Sequence, residues 1–314
     1  MEDLLEDVDS KNEVHNNPLK GMILIGLAVG VLILLEMCAK KATMSGLPVS
    51  QVSWIRYAGH LAIFAVLFGP KLKLDIVRTR FPKTQVFRGF LLLYMTLASF
   101  MALKHLQMVQ VTVIGFLTPL VVAALSVPFL GEKVGIHRWA AIVVGFIGVM
   151  FVVRPTGLEM HWSMLYLMSG ILAYGFYLIF TRKLAALGEN AIRSVFYTAL
   201  TGGIVLAFVM PFVWEQPKSI EIWFFLAGTA AFGGLGHYLV IKAHEYAFAS
   251  LLAPFLYTQI VWSTLAGYLQ FGDIPDYWTL IGGAIVISSG LYLMMREARK
   301  RNIAKKINIE AGKE

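Results

Sequence analysis

Cysteine is almost missing from this chain: Cys38 is the single thiol in 314 residues. A disulfide framework needs pairs and a zinc or iron–sulfur cage needs several thiolates, so both are excluded. Charge is scarce as well. Only 15% of residues are Asp, Glu, Lys or Arg, against about a quarter in a typical soluble domain. A soluble chain of this length could fill one large core or two smaller ones, but its surface would lack the polar residues to cover them. No loop of the form G-x-x-x-x-G-K-[ST] is present, which excludes ATP as a direct energy source through a P-loop. H-E-x-x-H, the G-x-S-x-G elbow and paired aspartates inside an apolar run are missing too. No polar segment between the apolar runs is long enough to fold as a catalytic domain, which takes about 50 residues or more.

What is present is apolar length. Apolar and aromatic residues make up 58% of the chain, and mean hydropathy is +0.69. Residues 1–20 are polar, start acidic (MEDLLEDVDS) and lack the basic-then-apolar order of a cleaved secretion signal. From Gly21 onward, apolar stretches recur at roughly 21–43, 51–69, 87–105, 110–130, 137–153, 162–182, 192–214, 221–244, 250–271 and 277–295. Crossing the hydrocarbon takes about 20 residues, with a range near 17–25; the fifth stretch is at the short limit. Lipid excludes unpaired backbone, so each stretch is a helix or part of a closed barrel. A barrel strand alternates apolar with polar, and VVAALSVPFL and AAIVVGFIGVMFVV do not. The pattern predicts an all-α integral membrane protein with ten transmembrane helices.

The net charge of +8 is a topological signal rather than a nucleic-acid one, because the basic residues sit between apolar runs. With the N-terminus inside, most of the 27 lysines and arginines fall on the cytoplasmic side, Arg78, Arg80, Lys83, Arg88 and the tail REARKRNIAKK among them. Lys40, Lys41, Lys104, Arg154 and Lys218 fall on the other. That bias places both termini in the cytoplasm. The basic tail, residues 296–314, is expected to rest beside anionic lipid.

The chain also repeats itself. Gly131-Glu132 recurs as Gly272-Asp273, a shift of 141 that also carries Gly21 onto Trp162. Two units, 21–154 and 162–295, then hold five helices each. Five is odd, so the second unit enters from the opposite side and lies inverted. Inverted repeats with a site at their interface are a recurrent plan for secondary transporters.

TPLVVAALSVPFLGEKVGIHRWAAIVVGFIGVMFVVRP resembles the closing two helices of the EamA repeat of the drug/metabolite transporter superfamily. APFLYTQIVWSTLAGYLQFGDIPDYWTLIGGAIVISSGLYLMMRE resembles the same unit in the second half, with Asp273 in place of the usual Glu, and SWIRYAGHLAIFAVL resembles the second helix of the first repeat. The resemblance covers about residues 20–297. It implies a bacterial inner-membrane secondary transporter of a small metabolite, with no cofactor and with the lipid bilayer and a small-molecule substrate as partners. The branch it looks most like includes riboflavin importers and S-adenosylmethionine transporters. Riboflavin uptake is the first expectation, S-adenosylmethionine the second, amino-acid or drug export the third. An integral membrane enzyme acting on a lipid or prenyl substrate is the reading from another class. It needs clustered acidic or histidine residues at one interface, and the sequence shows none. The resemblance further implies a central cavity between the repeats, opening alternately to each side and lined mainly by helices 1, 3, 4, 6, 8 and 9.

Ionisable groups inside a bilayer are costly unless paired or wet, so each needs a reason. Glu36 and Lys40 are one turn apart in the first helix. They read either as an i,i+4 ion pair with Lys40 and Lys41 snorkelling, or as a cavity carboxylate that binds a cation or takes up a coupling proton. Arg56 and His60 share a face of the second helix. Arg56 is either an anchor on carbonyls or Glu36, or a planar fork for an anionic or carbonyl-rich ligand. His60 is either a packing histidine or a proton shuttle. Lys104 and His105 end the third helix, and the shift maps them onto Glu245 and Tyr246; these are gate or boundary positions. His237 and His244 are seven apart with no third ligand spaced to help, so no metal is expected. Tyr94, Thr118, Tyr174, Tyr177, Tyr257, Gln259 and Trp262 are expected on cavity-lining helices, the aromatics to stack on a flat ligand and Thr118 and Gln259 to hydrogen-bond it from equivalent places. Gly26-x-x-x-Gly30 reads as a close helix contact, the Gly233, Gly234, Gly236 cluster as a flexible point, and Pro254 as a break at the start of its helix.

Overall fold

The computed structural model describes residues 17–72, 77–131, 135–154, 161–247 and 249–311. Among them every regular element is a helix. The first half holds α1 (Pro18–Met44), α2 (Val49–Leu72), α3 (Pro82–His105), α4 (Met108–Gly115), α5 (Thr118–Leu130) and α6 (Ile136–Val153). The second holds α7 (Trp162–Ala186), α8 (Ala191–Val213), α9 (Ile220–Tyr246), α10 (Ala249–Leu256), α11 (Gln259–Phe271) and α12 (Tyr277–Ala311). Seven stretches are long and apolar enough to cross a bilayer: α1, α3, α4 with α5, α7, and most of α8, α9 and α12. α6 contributes a shorter apolar helix, Trp139–Val153. The acidic start of the N-terminal tail, residues 1–16, lies outside the described residues.

The 141-residue shift governs the backbone. It carries Met108–Gly115 onto Ala249–Leu256, Thr118–Leu130 onto Gln259–Phe271, and the start of α6 onto the start of α12. Gly131 and Gly272, which end α5 and α11, hold the same left-handed conformation, φ 68° and 69°. That region favours glycine, which has no Cβ to clash. The packing repeats too: α1 lies along α9 as α7 lies along α3, and α6 crosses α12, its own counterpart.

The fourth and ninth stretches are not continuous helices as the hydropathy suggested. Each breaks in two, at Phe116-Leu117 and at Tyr257-Thr258. In the first, Pro119 has no N–H to give, and Phe116 and Leu117 bond three residues back, to Val113 O and Ile114 O at 3.2 and 3.0 Å. In the second, Tyr257 and Thr258 do likewise, to Pro254 O and Phe255 O at 3.2 and 3.1 Å. Broken helices at the interface of inverted repeats are where transporters place polar backbone.

The glycine readings need correcting. A Cβ on Gly26 would meet nothing within 4 Å, so Gly26-x-x-x-Gly30 is no close contact. Gly233, Gly234 and Gly236 lie in the unbroken α9, where a Cβ would come within 2.9, 2.4 and 2.6 Å of Leu35, Ile63 and Leu32. They let α9 seat against α1 and α2 rather than bend. α3 starts at Pro82, several residues before its apolar run, so Arg88 is not a loop cation but a helical residue 1% exposed.

Glu189, between α7 and α8, is buried and holds two partners. Thr79 Oγ1 donates to Oε2 at 2.6 Å and Arg193 Nη1 to Oε1 at 2.7 Å. Burial pushes the carboxyl up, but these donors and the Asn190 N–H outweigh it and hold Glu189 below the usual carboxylate range. A depressed carboxylate stabilises the fold above its unfolded value, about 4.3, and the contribution fades as pH falls through the lower folded value. Glu189→Gln is therefore expected to melt lower than wild type at neutral pH, with the gap closing below about pH 4. Melting of detergent-purified protein across that range checks it; a gap that stays constant with pH refutes the assignment.

Candidate functional site

Arg56 is the hub of a polar group shared by three helices. From α2 its Nη1 donates to Thr96 Oγ1 of α3 at 2.8 Å, and Nη2 lies 3.5 Å from His237 Nε2 of α9. Tyr57 stands next to it, its hydroxyl 2.9 Å from the same Thr96 oxygen. Arg56 Nε is buried with no hydrogen-bond partner among the described residues. His60 and His237 stack at 5.1 Å, 13° from parallel. Arg56, Tyr57, His60 and His237 line a small cavity of about 50 Å³. Tyr177 and Thr198 complete its polar wall, and Leu92, Val195 and Ala199 its apolar one. Tyr174 stacks on Tyr177 at 5.5 Å and 11°.

The repeat shift explains the composition of this group. It maps Thr96 onto His237, the two partners of Arg56. It also maps Glu36 onto Tyr177 and Tyr57 onto Thr198. Arg56 thus reaches equivalent positions on α3 and α9, one from each repeat. Glu36 lies within reach of the Arg56 charge, and its Oε2 is buried with no hydrogen-bond partner among the described residues. The site combines one fixed guanidinium with a spare donor, one carboxylate oxygen with spare acceptor capacity, and aromatic faces on two sides. Such a set can orient a flat ligand by its carbonyls and stack its ring.

Lys40 does not pair with Glu36 one turn away. Its Nζ sits 2.7 Å from Asp273 Oδ2 and donates to Leu106 O at 3.0 Å. The long side chain reaches a better acid across the bundle, and Glu36 keeps an open oxygen.

The sequence-selected residues fall into four places. Glu36, Arg56, His60, Tyr174 and Tyr177 come together with Tyr57, Thr96 and His237. Thr118 and Gln259 open α5 and α11, immediately after the helix breaks. Tyr257 lies in the second break, its ring 5.0 Å from Phe116, which occupies the equivalent place in the first. Tyr94 and Trp262 lie apart from the cavity. Tyr94, 37% exposed, bonds Ser169 at 2.8 Å, while Trp262 faces Gly30. At the end of α3, His105 stacks on His161 at 4.4 Å beside a half-buried Lys104; the side chain of Glu245 lies outside the described residues.

Sequence reasoning missed Tyr57, Thr96 and the role of His237, although carrying Thr96 through the shift would have produced His237. It also missed Arg88, whose Nε donates to Thr181 Oγ1 at 3.0 Å and whose Nη1 donates to Gln85 Oε1 at 2.5 Å. Arg88 lies 4.7 Å from the Tyr177 ring, behind the cavity wall.

Comparison with known proteins identifies the family and the fold. The EamA-like transporter family matches residues 19–154 and 161–296. A riboflavin transporter of Vibrio cholerae is 29% identical over 93% of this chain and 99% of its own. An S-adenosylmethionine uptake transporter of Rickettsia bellii is 29% identical over 78% of this chain and 81% of its own. A solved structure at 16% identity superposes with a TM-score of 0.60, covering 88% of this chain and 98% of that one, and carries the same fold.

Proposed function

The chain belongs to the EamA-like transporter family and is a multi-pass transporter of the bacterial inner membrane, and from that premise we propose that it imports riboflavin by alternating access. In this reading ten spans form two inverted repeats, 21–154 and 162–295, with both termini cytoplasmic. The observation that carries the substrate is Arg56, held between equivalent positions of the two repeats at a cavity walled by Tyr57, Tyr177 and stacked histidines. An isoalloxazine ring offers a carbonyl edge to the guanidinium and a face to the aromatics. Thr118 and Gln259, at the two helix breaks, hydrogen-bond the ligand as the repeats rock. The name of the Vibrio cholerae relative supports the same substrate.

S-adenosylmethionine is the second reading, favoured by the open Oε2 of Glu36. A sulfonium or ammonium would pair with that carboxylate and lie against the aromatic wall. Uptake of labelled riboflavin, with labelled S-adenosylmethionine in parallel, decides between them in cells lacking their own carriers. Saturable flavin entry suppressed by unlabelled flavin is the expected result. Entry of S-adenosylmethionine alone refutes it.

Glu36 also supplies the coupling proton site in this proposal. Wild-type uptake is expected to rise as the external medium is acidified, because inward proton flow then drives loading. Glu36→Gln cannot cycle a proton, so its uptake should fall several-fold and become flat with pH. Normal transport with an unchanged pH profile in Glu36→Gln rules the coupling out.

A further inference from the structure

α1 ends in two lysines with different surroundings. Lys41 is partly exposed and 4.0 Å from Glu221. Lys40 is 4% exposed, and its ammonium lies 4.5 Å from the Phe271 ring as well as on Asp273 and Leu106 O. Asp273 follows the left-handed Gly272 that ends α11, and its N–H donates to Gly267 O at 3.2 Å. Leu106 follows the last residue of α3. One ammonium therefore ties α1 and α3 of the first repeat to the end of α11 in the second. Next to it Gln107 Nε2 donates to Ile274 O at 3.2 Å, a second tie between the same two segments.

The repeat shift carries the Lys40 position onto a different arrangement. It carries Lys40 onto Thr181, whose hydroxyl donates to Tyr177 O at 2.6 Å and accepts from Arg88 Nε. Thr181, the equivalent of Lys40, carries a hydroxyl in place of the ammonium. A pair of this kind is strong while the surrounding face is dry, and weak once water reaches both charges. That property suits a contact that must hold one end shut and then let go.

We infer that Lys40 and Asp273 form the latch of the face at the C-terminal end of α1: closed in this structure, and separated with both charges hydrated when that face opens for substrate. The inference rests on the alternating-access reading above. It assigns Lys40 and Asp273 to gating rather than to ligand binding.

The test uses Leu106→Cys in a Cys38→Ala background, because Leu106 is 5% exposed beneath the latch. A membrane-impermeant maleimide is applied to intact cells and to inverted vesicles. Slow labelling is expected with the pair intact, at least fivefold faster labelling with Asp273→Asn, and slow labelling again in the exchanged pair Lys40→Asp with Asp273→Lys. A second measurement controls for loosened packing: native Cys38, 4% exposed against Gly228, as the only thiol with and without Asp273→Asn. Equal labelling of Leu106→Cys in parent and Asp273→Asn overturns the latch. So does an equal rise at Cys38, which makes the pair a structural tie only. The assay needs no substrate, so failure of riboflavin uptake would remove the proposed function without altering the labelling result.

Discussion

Arg56→Ala is expected to lower riboflavin uptake about a hundredfold at equal membrane abundance. A hydrogen bond to a charged group contributes roughly 1.5–3 kcal/mol, and a hundredfold change corresponds to about 2.7 kcal/mol. Loss of one ligand bond and its charge therefore suffices. The cost is raised by what the substitution leaves behind. Thr96 Oγ1 loses its donor at 2.8 Å, and His237 loses the cation that faces its Nε2. Both stand on helices of different repeats, so the connection that Arg56 makes across the interface is lost with it. Arg56→Lys keeps the charge but not the planar fork, and a point charge cannot serve Thr96, His237 and a ligand together. Its uptake should lie between wild type and Arg56→Ala. Initial rates over a range of riboflavin concentrations check this. Uptake by Arg56→Ala within twofold of wild type would falsify the assignment of Arg56 to the ligand.

The helical fold and its repeat were legible because both rest on strong signals: bilayer-length apolar runs and a glycine turn recurring 141 positions on. The helix breaks were less so, because Pro119 explains the first and the second has no proline at the equivalent place, Ile260. Helix faces were hidden for a physical reason. In lipid, the outward face is as apolar as the packed one, so periodicity does not tell cavity from bilayer. Residue type alone points equally to Tyr94, Trp262 and Tyr177, and of these three Tyr177 lines the cavity at Arg56. Long side chains mislead for a different reason, their reach. Spacing brings Glu36 within reach of Lys40, but Asp273, 233 positions away, takes the ammonium. Arg88 stands at the edge of an apolar run, where the sequence alone reads it as a loop cation. What the repeat does offer is a rule that needs no structure: a residue of interest implicates its partner at a shift of 141, as Thr96 implicates His237.

Arg88→Ala carries the second large effect, on stability rather than on binding. Arg88 is the largest fully buried side chain of the described residues, 1% exposed. Its donors serve Thr181 Oγ1 and Gln85 Oε1, and Gln85 Nε2 passes the network on to Ser194 Oγ at 3.0 Å. Truncation leaves those acceptors without a donor and opens a void between α3, α7 and α8. Large-to-small core changes and orphaned polar groups together cost roughly 3–5 kcal/mol, which lowers the melting temperature by about 10 °C for a chain of this size. Arg88→Met separates the two contributions, since it fills most of the volume and leaves only the loss of the donors to Thr181 and Gln85. It should melt within a few degrees of wild type. Its riboflavin KM should nevertheless rise several-fold, because the cation 4.7 Å from the Tyr177 ring no longer fixes that ring at the cavity wall. A Met variant that melts normally and transports with an unchanged KM would make Arg88 a packing residue alone, and Tyr177 would then owe its place to the Tyr174 stack.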